Sequence, residues 1–320
     1  LALKGDYDRA LPDLDQALKL DANDARAWQN RGFVWRAKGD LDRAVADFDQ
    51  AIKLNSNSAV VLYNRGNAFY MKKDYDRAVA DFNAALKIEP QYAAAYNSRG
   101  LVFDEKRDYD RAIADLSQAI RLNPRNTLTI YNRAMAYRAK GEPDRAVPDF
   151  DLVLKNTPND AYAYQNRGLA YRNKGETDAA INNYDQAILI SPDFALAYYN
   201  RGNAYYDKRD YDHAITDYDQ ALKINPKYEL AYYDRGVVYY DRHEYEKAVA
   251  DLSKAIELEP RDALAFYNRG LTYRAMGDMD KSLADFDQSI KLDPKKPEPE
   301  RFADAQRLMR ERFPQEHARF

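Results

Sequence analysis

The chain has no cysteine, only three histidines and no long apolar run. The lack of cysteine excludes disulfides and thiolate metal sites, although it does not choose a compartment. His213, His243 and His317 have no spacing typical of metal ligands, so we expect neither a metal nor another cofactor. The apolar runs are too short to span a bilayer. They predict no membrane insertion and a soluble protein, with the cytoplasm favoured over the periplasm.

The sequence also lacks the signs of catalysis and of nucleic-acid binding. Its 49 basic and 52 acidic side chains give a net charge of −3, so no overall field attracts nucleic acid. There is no Gly-rich phosphate loop, nucleophile elbow or zinc-protease motif. The aspartates follow a repeat instead of clustering as a catalytic pair. We therefore expect no enzyme, no catalytic residue and no nucleic-acid partner.

What the chain does have is a glycine at a fixed step of 34 residues, the length of one helix–turn–helix repeat. The glycines are Gly32, Gly66, Gly100, Gly168, Gly202, Gly236 and Gly270, with Ala134 in the one remaining place. With residue 25 as position 1, eight complete repeats follow over 25–296. They are 25–58, 59–92, 93–126, 127–160, 161–194, 195–228, 229–262 and 263–296. Such repeats pack on their neighbours and build an extended surface for binding.

Each repeat reads as two helices with defined ends. Positions 4 and 11 are large, as in Trp28 and Trp35, and position 20 is alanine in seven repeats, beginning with Ala44. Large residues on the first helix therefore meet small ones on the second. An acid at position 16, such as Asp40, predicts an N-cap before the second helix, and a proline at position 32, such as Pro90, predicts its end.

The two ends of the chain depart from the repeat. Residues 1–24 read as a partial repeat in which 6–20 is the second helix and the first helix is missing, which predicts a fragment of a longer protein. The exposed face of 6–20 makes a homodimer through this end plausible. Residues 297–320 read as a C-terminal capping helix near 300–312, because its apolar residues form one stripe.

The recurrence of the size pattern, glycine, alanine and proline in register closely resembles the tetratricopeptide repeat family, over 25–296 and the partial repeat before it. The resemblance implies an all-α, right-handed superhelical solenoid of antiparallel helix pairs. It also implies that the first helices line a concave groove, where members usually hold a peptide. Positions 2, 5, 6, 9, 12 and 13 would face this groove.

The predicted peptide-binding residues occupy three of those positions. Asparagine at position 6 offers a donor and an acceptor to an extended backbone; its other interpretation is a bond to a neighbouring helix. Tyrosine at positions 5 and 12 offers large contact area with a polar tip, and arginine alternates with it at position 12. The set comprises Asn30, Asn64, Asn132, Asn166, Asn200 and Asn268; Tyr63, Tyr131, Tyr199, Tyr233 and Tyr267; Tyr70, Tyr206 and Tyr240; and Arg36, Arg138, Arg172 and Arg274.

The chain departs from the family at position 7, which is arginine in all eight repeats instead of the usual leucine, while position 23 is aspartate in all but one, where Asn183 stands. These arginines are either cationic ligand sites or partners of the aspartates in a structural ladder, and we favour the ladder. The pattern does not decide between pairing within one repeat and pairing across two. The carboxylate clamp of the chaperone-binding members is absent, because position 5 is never lysine.

The leading functional hypothesis is a scaffold that binds an extended peptide or protein segment in the groove. Acidic residues beside the arginines, such as Asp104, Glu105, Asp207 and Asp241, suggest a partner with charges of both signs. Two alternatives remain open: a targeting or regulatory module of a larger enzyme, and a self-assembling structural protein.

Overall fold

The computed structural model describes residues 7–293, which contain seventeen α-helices and no strand. The leading helix is α1 (Tyr7–Leu20). The first helix of each complete repeat, here called its A helix, is α2 (Ala25–Ala37), α4 (Ala59–Met71), α6 (Ala93–Glu105), α8 (Thr127–Lys140), α10 (Ala161–Asn173), α12 (Ala195–Asp207), α14 (Glu229–Asp241) or α16 (Ala263–Ala275). The second, or B, helix is α3 (Leu41–Leu54), α5 (Tyr75–Ile88), α7 (Tyr109–Leu122), α9 (Pro143–Asn156), α11 (Thr177–Ile190), α13 (Tyr211–Ile224), α15 (Tyr245–Leu258) or α17 (Met279–Leu292).

These helices confirm the predicted all-α fold of antiparallel pairs. Each A helix joins its B helix through a turn of two or three residues and packs against it. The predicted second helix at 6–20 is present as α1. The predicted capping helix lies outside the described residues. The helices fall into two compact units, a first unit up to Pro158 with α1–α9 and a second unit from Asn159 with α10–α17.

The turns are built by residues that cap and reverse the chain. Asp40 caps α3 by accepting a hydrogen bond from the Arg43 backbone N–H at 3.0 Å, and position 16 does the same in the other aspartate repeats. Position 15, just before this cap, has a positive φ in all eight repeats. It is glycine in four of them, and Lys73, Arg107, Arg209 or His243 in the others, although only glycine adopts this conformation freely.

The packing glycine explains how closely each pair can approach. A Cβ on Gly32 would lie 2.8 Å from the ring of Phe48, and one on Gly168 would lie 2.6 Å from the ring of Tyr184. The large residue at position 24 of the B helix therefore sits directly on the glycine of the A helix. Phe48 and Tyr184 are fully buried, as are their counterparts in the other repeats.

The A helices form a continuous surface in each unit. In the first unit α2 contacts α4, α4 contacts α6 and α6 contacts α8; in the second, α10, α12, α14 and α16 are joined in the same way. No equally close contact joins successive B helices within the described residues. The A helices are therefore the more closely spaced layer and form the concave side of each unit, which we call its A wall.

Candidate functional site

The position 7 arginines lie between helices and bind the position 23 aspartates of their own repeat. Arg65 donates from Nε to Asp81 Oδ2 at 2.8 Å and from Nη2 to Asp81 Oδ1 at 2.6 Å. The same two-bond fork joins Arg31 to Asp47, and it recurs in five further repeats. The aspartates are buried, so each fork is a desolvated, charge-assisted pair.

The third guanidinium nitrogen reaches back to the preceding B helix. Arg65 Nη1 donates to Asp49 Oδ1 at 2.7 Å, and Arg133 Nη1 donates to Ser117 Oγ at 3.1 Å. The acceptor always stands at position 25 of the preceding repeat: the described ones are Asp15, Asp49, Asn83, Ser117, Asp185, Asp219 and Ser253. Each of these seven arginines thus links three helices, and the pairing is both within a repeat and across two.

Asn183 takes the place of the position 23 aspartate in the repeat 161–194. Its Oδ1 accepts from Arg167 Nε at 2.7 Å, and its Nδ2 donates to the Ala179 carbonyl at 2.8 Å. The residue therefore belongs to the ladder of its own repeat. Arg201 of the next repeat keeps two carboxylates, Asp217 and Asp185. These bonds support the structural interpretation of the position 7 arginines.

The position 6 asparagines of the predicted binding set differ in exposure. Asn30 is exposed, Asn132 and Asn268 are half-buried, and Asn64, Asn166 and Asn200 are buried. The Nδ2 groups of Asn64 and Asn166 each donate to a carbonyl one turn earlier in the same helix, both at 2.9 Å. Several of these amides are therefore engaged inside the A wall.

The position 5 and position 12 residues lie on the A walls with intermediate exposure. Half-buried are Tyr63, Tyr131, Tyr199, Tyr233, Tyr70, Tyr206, Tyr240, Arg36, Arg138, Arg172 and Arg274. Tyr267 is buried and packs on Phe286, with ring centroids 5.4 Å apart. The wall therefore presents ring edges, hydroxyls and guanidinium groups in successive repeats.

In the second unit, polar groups of the A wall bind one another between adjacent A helices. Arg172 forks onto Asp207, with Nε to Oδ2 at 2.6 Å and Nη2 to Oδ1 at 3.1 Å. Tyr199 donates its hydroxyl to Asp234 Oδ2 at 2.7 Å, and a similar bond of 2.9 Å joins Tyr206 to Asp241. Each partner stands 35 residues further along the chain, so this unit pairs its own wall charges.

Burial alters the acidity of two groups on this wall. Desolvation raises the pKa of the Asp234 carboxyl, although the hydrogen bond from Tyr199 opposes the shift. Desolvation and the nearby Asp262 carboxylate raise the pKa of Glu229 to about 7. Glu229 therefore takes up a proton near neutral pH in the folded state.

The first unit has an open cavity beside Arg36, whereas in the second unit the equivalent Arg172 is paired with Asp207. The cavity is about 640 Å³ and is lined by α1, α2, α4 and Tyr92, a volume within the range of ligand pockets. It brings together four predicted residues: Asn30, Arg36, Tyr63 and Asn64. Gln29 and Phe33 of α2 and Val60 of α4 complete the A-wall side, and Ala10, Asp13 and Leu14 come from α1.

Arg36 is the distinctive group of this cavity. Within residues 7–293 it forms no ion pair with a carboxylate, and the titratable groups that affect it are the tyrosines Tyr7, Tyr63 and Tyr92, which are neutral at pH 7. Its guanidinium lies over the Phe33 ring, 5.3 Å from the centroid. Desolvation lowers the pKa of Arg36, because burial disfavours a cation that lacks a counter-charge.

Sequence reasoning missed some of the cavity lining. Tyr92 stands at position 34, in a segment that reads as a loop, yet its ring packs on Tyr63 with centroids 5.0 Å apart. The same contact joins Tyr228 and Tyr199 in the second unit at 4.9 Å. An aromatic residue at the end of a repeat, where a polar loop residue is usual, is the signal that could have identified this contact.

Two further observations concern the described part of the chain. No group of three or more His, Asp or Glu side chains there is arranged to hold a metal ion. No helix among α1–α17 has the length and hydrophobicity needed to cross a bilayer.

Comparison with known families gives matches over most of the chain. A family model described as TPR repeat matches residues 34–73, 168–209, 202–242 and 238–277. Three models described as tetratricopeptide repeat match 59–92 and 263–296, 97–161, and 150–182. No curated protein sequence matches the chain significantly.

Solved structures with the same fold include YrrB, described as a TPR protein with an unusual peptide-binding site. YrrB is 27% identical over 57% of this chain and 95% of its own, with a TM-score of 0.51. A tetratricopeptide repeat protein from Parabacteroides merdae is 20% identical over 73% of this chain and 93% of its own (TM-score 0.54). The APC/C hetero-tetramer Cut9-Hcn1 matches at 18% identity over 83% of this chain and 52% of that chain (TM-score 0.59). The last two comparisons show the fold alone.

Proposed function

The chain belongs to the tetratricopeptide repeat family of helical interaction scaffolds, and from that premise we propose that its A walls bind an extended peptide or protein segment. The family and its solved relatives are typically scaffolds without catalytic activity. The bound segment would lie across successive A helices, where tyrosine, asparagine and arginine side chains recur at the same height of each repeat.

The grouping of predicted side chains on neighbouring A helices is the observation that carries this proposal. Asn30 and Arg36 of α2 lie beside Tyr63 and Asn64 of α4 on the A wall of the first unit. This part of the wall combines aromatic surface with amide and guanidinium donors. Such a mixture suits a peptide, since the rings bury apolar side chains and the polar groups pair with the backbone.

A relative lends independent support. YrrB is similar over nearly its whole length and is described as having a peptide-binding site. YrrB and this chain are built from the same kind of repeat, so a peptide bound on the A wall of this chain would contact the same kind of surface.

The test is selection of a displayed library of random peptides against the whole chain, followed by affinity measurement on the enriched peptides. A variant with Asn30→Ala and Tyr63→Ala removes one amide and one ring from the A wall. We expect it to bind the enriched peptides at least tenfold more weakly, since loss of an interface aromatic residue costs roughly 1–2 kcal/mol or more.

The matched control is Gln50→Ala, on the exposed surface of the B helix α3 in the same repeat. This variant should bind like the unchanged chain, and circular dichroism should show equal helicity for all three proteins. Equal loss of binding in the control, or equal binding by all three, would place the contact outside the A wall and overturn the proposal.

A further inference from the structure

The second unit carries a row of exposed apolar residues along one edge of its A wall. They stand at position 2, in the first turn of each A helix, and each is between 38% and 63% exposed. The row, here called the apolar stripe, consists of Tyr162, Leu196, Leu230 and Leu264. In the first unit a charge and a small residue interrupt the row, because the same position holds Arg26, Val60, Ala94 and Leu128.

The exposure of the stripe does not come from an end of the chain. Leu196 and Leu230 belong to α12 and α14, each of which contacts an A helix on both sides. Single exposed leucines are ordinary on a protein surface, but a row of four in successive repeats is typical of an interaction site. The ion pair of Arg172 with Asp207 lies at the opposite ends of the A helices. A segment on the stripe therefore leaves that pair intact.

The spacing of the stripe favours one conformation of its ligand. Packed helices lie about 8–10 Å apart, so apolar side chains recur along the stripe at about that interval. A polyproline II segment has three residues per turn, and its side chains return to the same face after about 9.3 Å. A β-strand returns after about 6.6–6.8 Å and falls out of step with the stripe.

The width of the stripe disfavours a helical ligand. An amphipathic helix presents a broad apolar face, with side chains at i, i+3, i+4 and i+7. The stripe is one side chain wide, since position 6 on the same face of the A helices holds the polar residues Asn200, Asp234 and Asn268.

Carboxylates border the stripe between Leu230 and Leu264. Asp262 caps α16, and its Oδ1 accepts a hydrogen bond from the Leu264 backbone N–H at 2.9 Å. Glu229 precedes Leu230, and the ionisable groups that act on it, Asp262 foremost, are all carboxylates. Neither Glu229 nor Asp262 forms an ion pair within residues 7–293. This part of the edge therefore carries excess negative charge and favours Lys or Arg in the ligand.

We propose that the apolar stripe binds a polyproline II segment of a partner protein, with an apolar residue at every third place and a Lys or Arg between those that meet Leu230 and Leu264. This inference rests on the proposed function and names the class of segment that the second unit selects. Each apolar side chain of the segment packs beside one residue of the stripe. A polyproline II segment has no internal hydrogen bonds to break and loses little conformational entropy when it binds.

The experiment measures the affinity of the full chain for N-acetylated, C-amidated peptides by fluorescence anisotropy. A peptide of four Leu-Pro-Lys triplets matches the spacing of the stripe. A second peptide has the same composition with leucine at alternating places, and a third is an amphipathic helix with leucine at every seventh place. We expect the triplet peptide to bind roughly tenfold or more tightly than either, because the others bring fewer leucines onto the stripe.

The charge requirement is tested by replacing Lys in the triplets with Gln or Glu. We expect affinity to fall from Lys to Gln to Glu by about two- to fivefold at each step, and the differences to shrink as salt is raised. Asp262→Asn keeps a side-chain oxygen that can cap α16 but removes the charge, so it should reduce the preference for Lys over Gln. An unchanged preference would refute the role of the carboxylates.

Substitutions at exposed leucines separate loss of binding from loss of structure. A chain with both Leu196→Gln and Leu230→Gln lacks half of the stripe and should bind the triplet peptide roughly tenfold or more weakly. Gln and Leu have similar helix propensities, so thermal unfolding should be unchanged. The matched control is Leu189→Gln on the B helix α11, where the leucine is 74% exposed. This control should bind like the unchanged chain.

The outcomes distinguish this inference from the proposed function. If peptides selected from the random library bind but the triplet peptide has no advantage over the alternating one, peptide binding by the A walls stands and the stripe proposal is wrong. Tighter binding of the helical peptide, or equal binding by the double variant and the control, would also refute it. If neither selected nor triplet peptides bind, both proposals are wrong.

Discussion

The two units share a template of four repeats but treat the charges on their A walls differently. Residues four repeats apart are often identical, as in Arg36 and Arg172 or Tyr63 and Tyr199. In the second unit, Arg172 and Tyr199 bind carboxylates of the next A helix. In the first unit, the corresponding places are taken by Met71 and Ser98. The chemistry of a wall residue is therefore decided by its neighbour on the next helix.

This comparison bears on where a ligand binds. A segment bound to the second wall competes with hydrogen bonds that the wall already makes, and breaking a buried bond leaves groups unpaired. A segment bound at Arg36 adds a pair where residues 7–293 supply no carboxylate. At position 12, the first unit is thus the better candidate for charge recognition, although both walls have the same helices and spacing.

The largest expected effect comes from comparing two position 23 residues, the aspartate Asp81 and the asparagine Asn183. Asp81→Ala in the first unit leaves Arg65 without its fork and should lower the free energy of unfolding by about 3–5 kcal/mol. Asn183→Ala in the second unit removes one hydrogen bond from the Arg167 guanidinium and one to a backbone carbonyl, but no carboxylate, and should cost only about 1.5–3 kcal/mol. Urea unfolding of both variants measures the difference. Equal losses in the free energy of unfolding would show that the carboxylate charge at position 23 does not contribute to stability.

The packing glycine gives the next effect. Gly168→Ala forces a methyl group against the Tyr184 ring at 2.6 Å. Overpacking of this kind costs about 1–3 kcal/mol, against a helix-propensity gain of about 1 kcal/mol. We expect a net loss of stability in thermal unfolding. Ala134→Gly in the first unit is the reverse change and should lose the propensity gain without relieving a clash, because Ala134 is already accommodated. A stabilised Gly168→Ala variant would contradict this account.

Glu229 gives the second unit a titrating group that has no counterpart at the same position of the first unit, where Ala93 stands. Its folded pKa of about 7 exceeds the unfolded value, so the folded state binds the proton more tightly. Stability should therefore decrease as the pH rises from the unfolded pKa through about 7. Partial exposure limits the effect to about 1 kcal/mol. Glu229→Gln should remove this component from urea unfolding curves between pH 5 and pH 8; an unchanged slope would exclude Glu229 as its source.

The smallest effect concerns the turn at position 15, where both units follow the same order of glycine, two other residues, and glycine. Arg107 has a φ of 58°, a conformation that costs a residue with a Cβ about 1–2 kcal/mol. Arg107→Gly should stabilise the chain by about 0.5–1 kcal/mol, because the greater freedom of unfolded glycine offsets part of the gain. Gly39→Ala should have the opposite sign. The two thermal unfolding shifts are measured together, and a shared sign would refute the explanation.

Much of this fold follows from residues whose effect is local. The glycines, alanines and prolines act within one repeat, so Gly32, Ala44 and Pro90 were sufficient to locate helices, packing faces and ends. An ion pair between the position 7 arginines and the position 23 aspartates was predictable for the same reason, since an arginine between helices requires a carboxylate nearby. The sequence did not decide that Arg31 forks onto Asp47 of its own repeat.

The remaining features depend on distances between repeats. Position 25 accepts a hydrogen bond from seven of the position 7 arginines, but it holds aspartate, asparagine or serine, so no single residue type marks it. The pairing of Tyr199 with Asp234 depends on how closely adjacent A helices approach, which a linear pattern does not show. The sequence pattern likewise did not distinguish Arg36 from Arg172. Their ion pairing differs because the residue 35 places further along the chain is Met71 in one case and Asp207 in the other.

The arginine forks tie each repeat to the one before it. Arg65, for example, binds Asp81 of its own B helix and Asp49 of the preceding B helix. Local opening of one repeat therefore breaks hydrogen bonds that its neighbour also uses, so adjacent repeats should open together instead of one at a time. Amide hydrogen exchange would report this as similar protection of adjacent B helices.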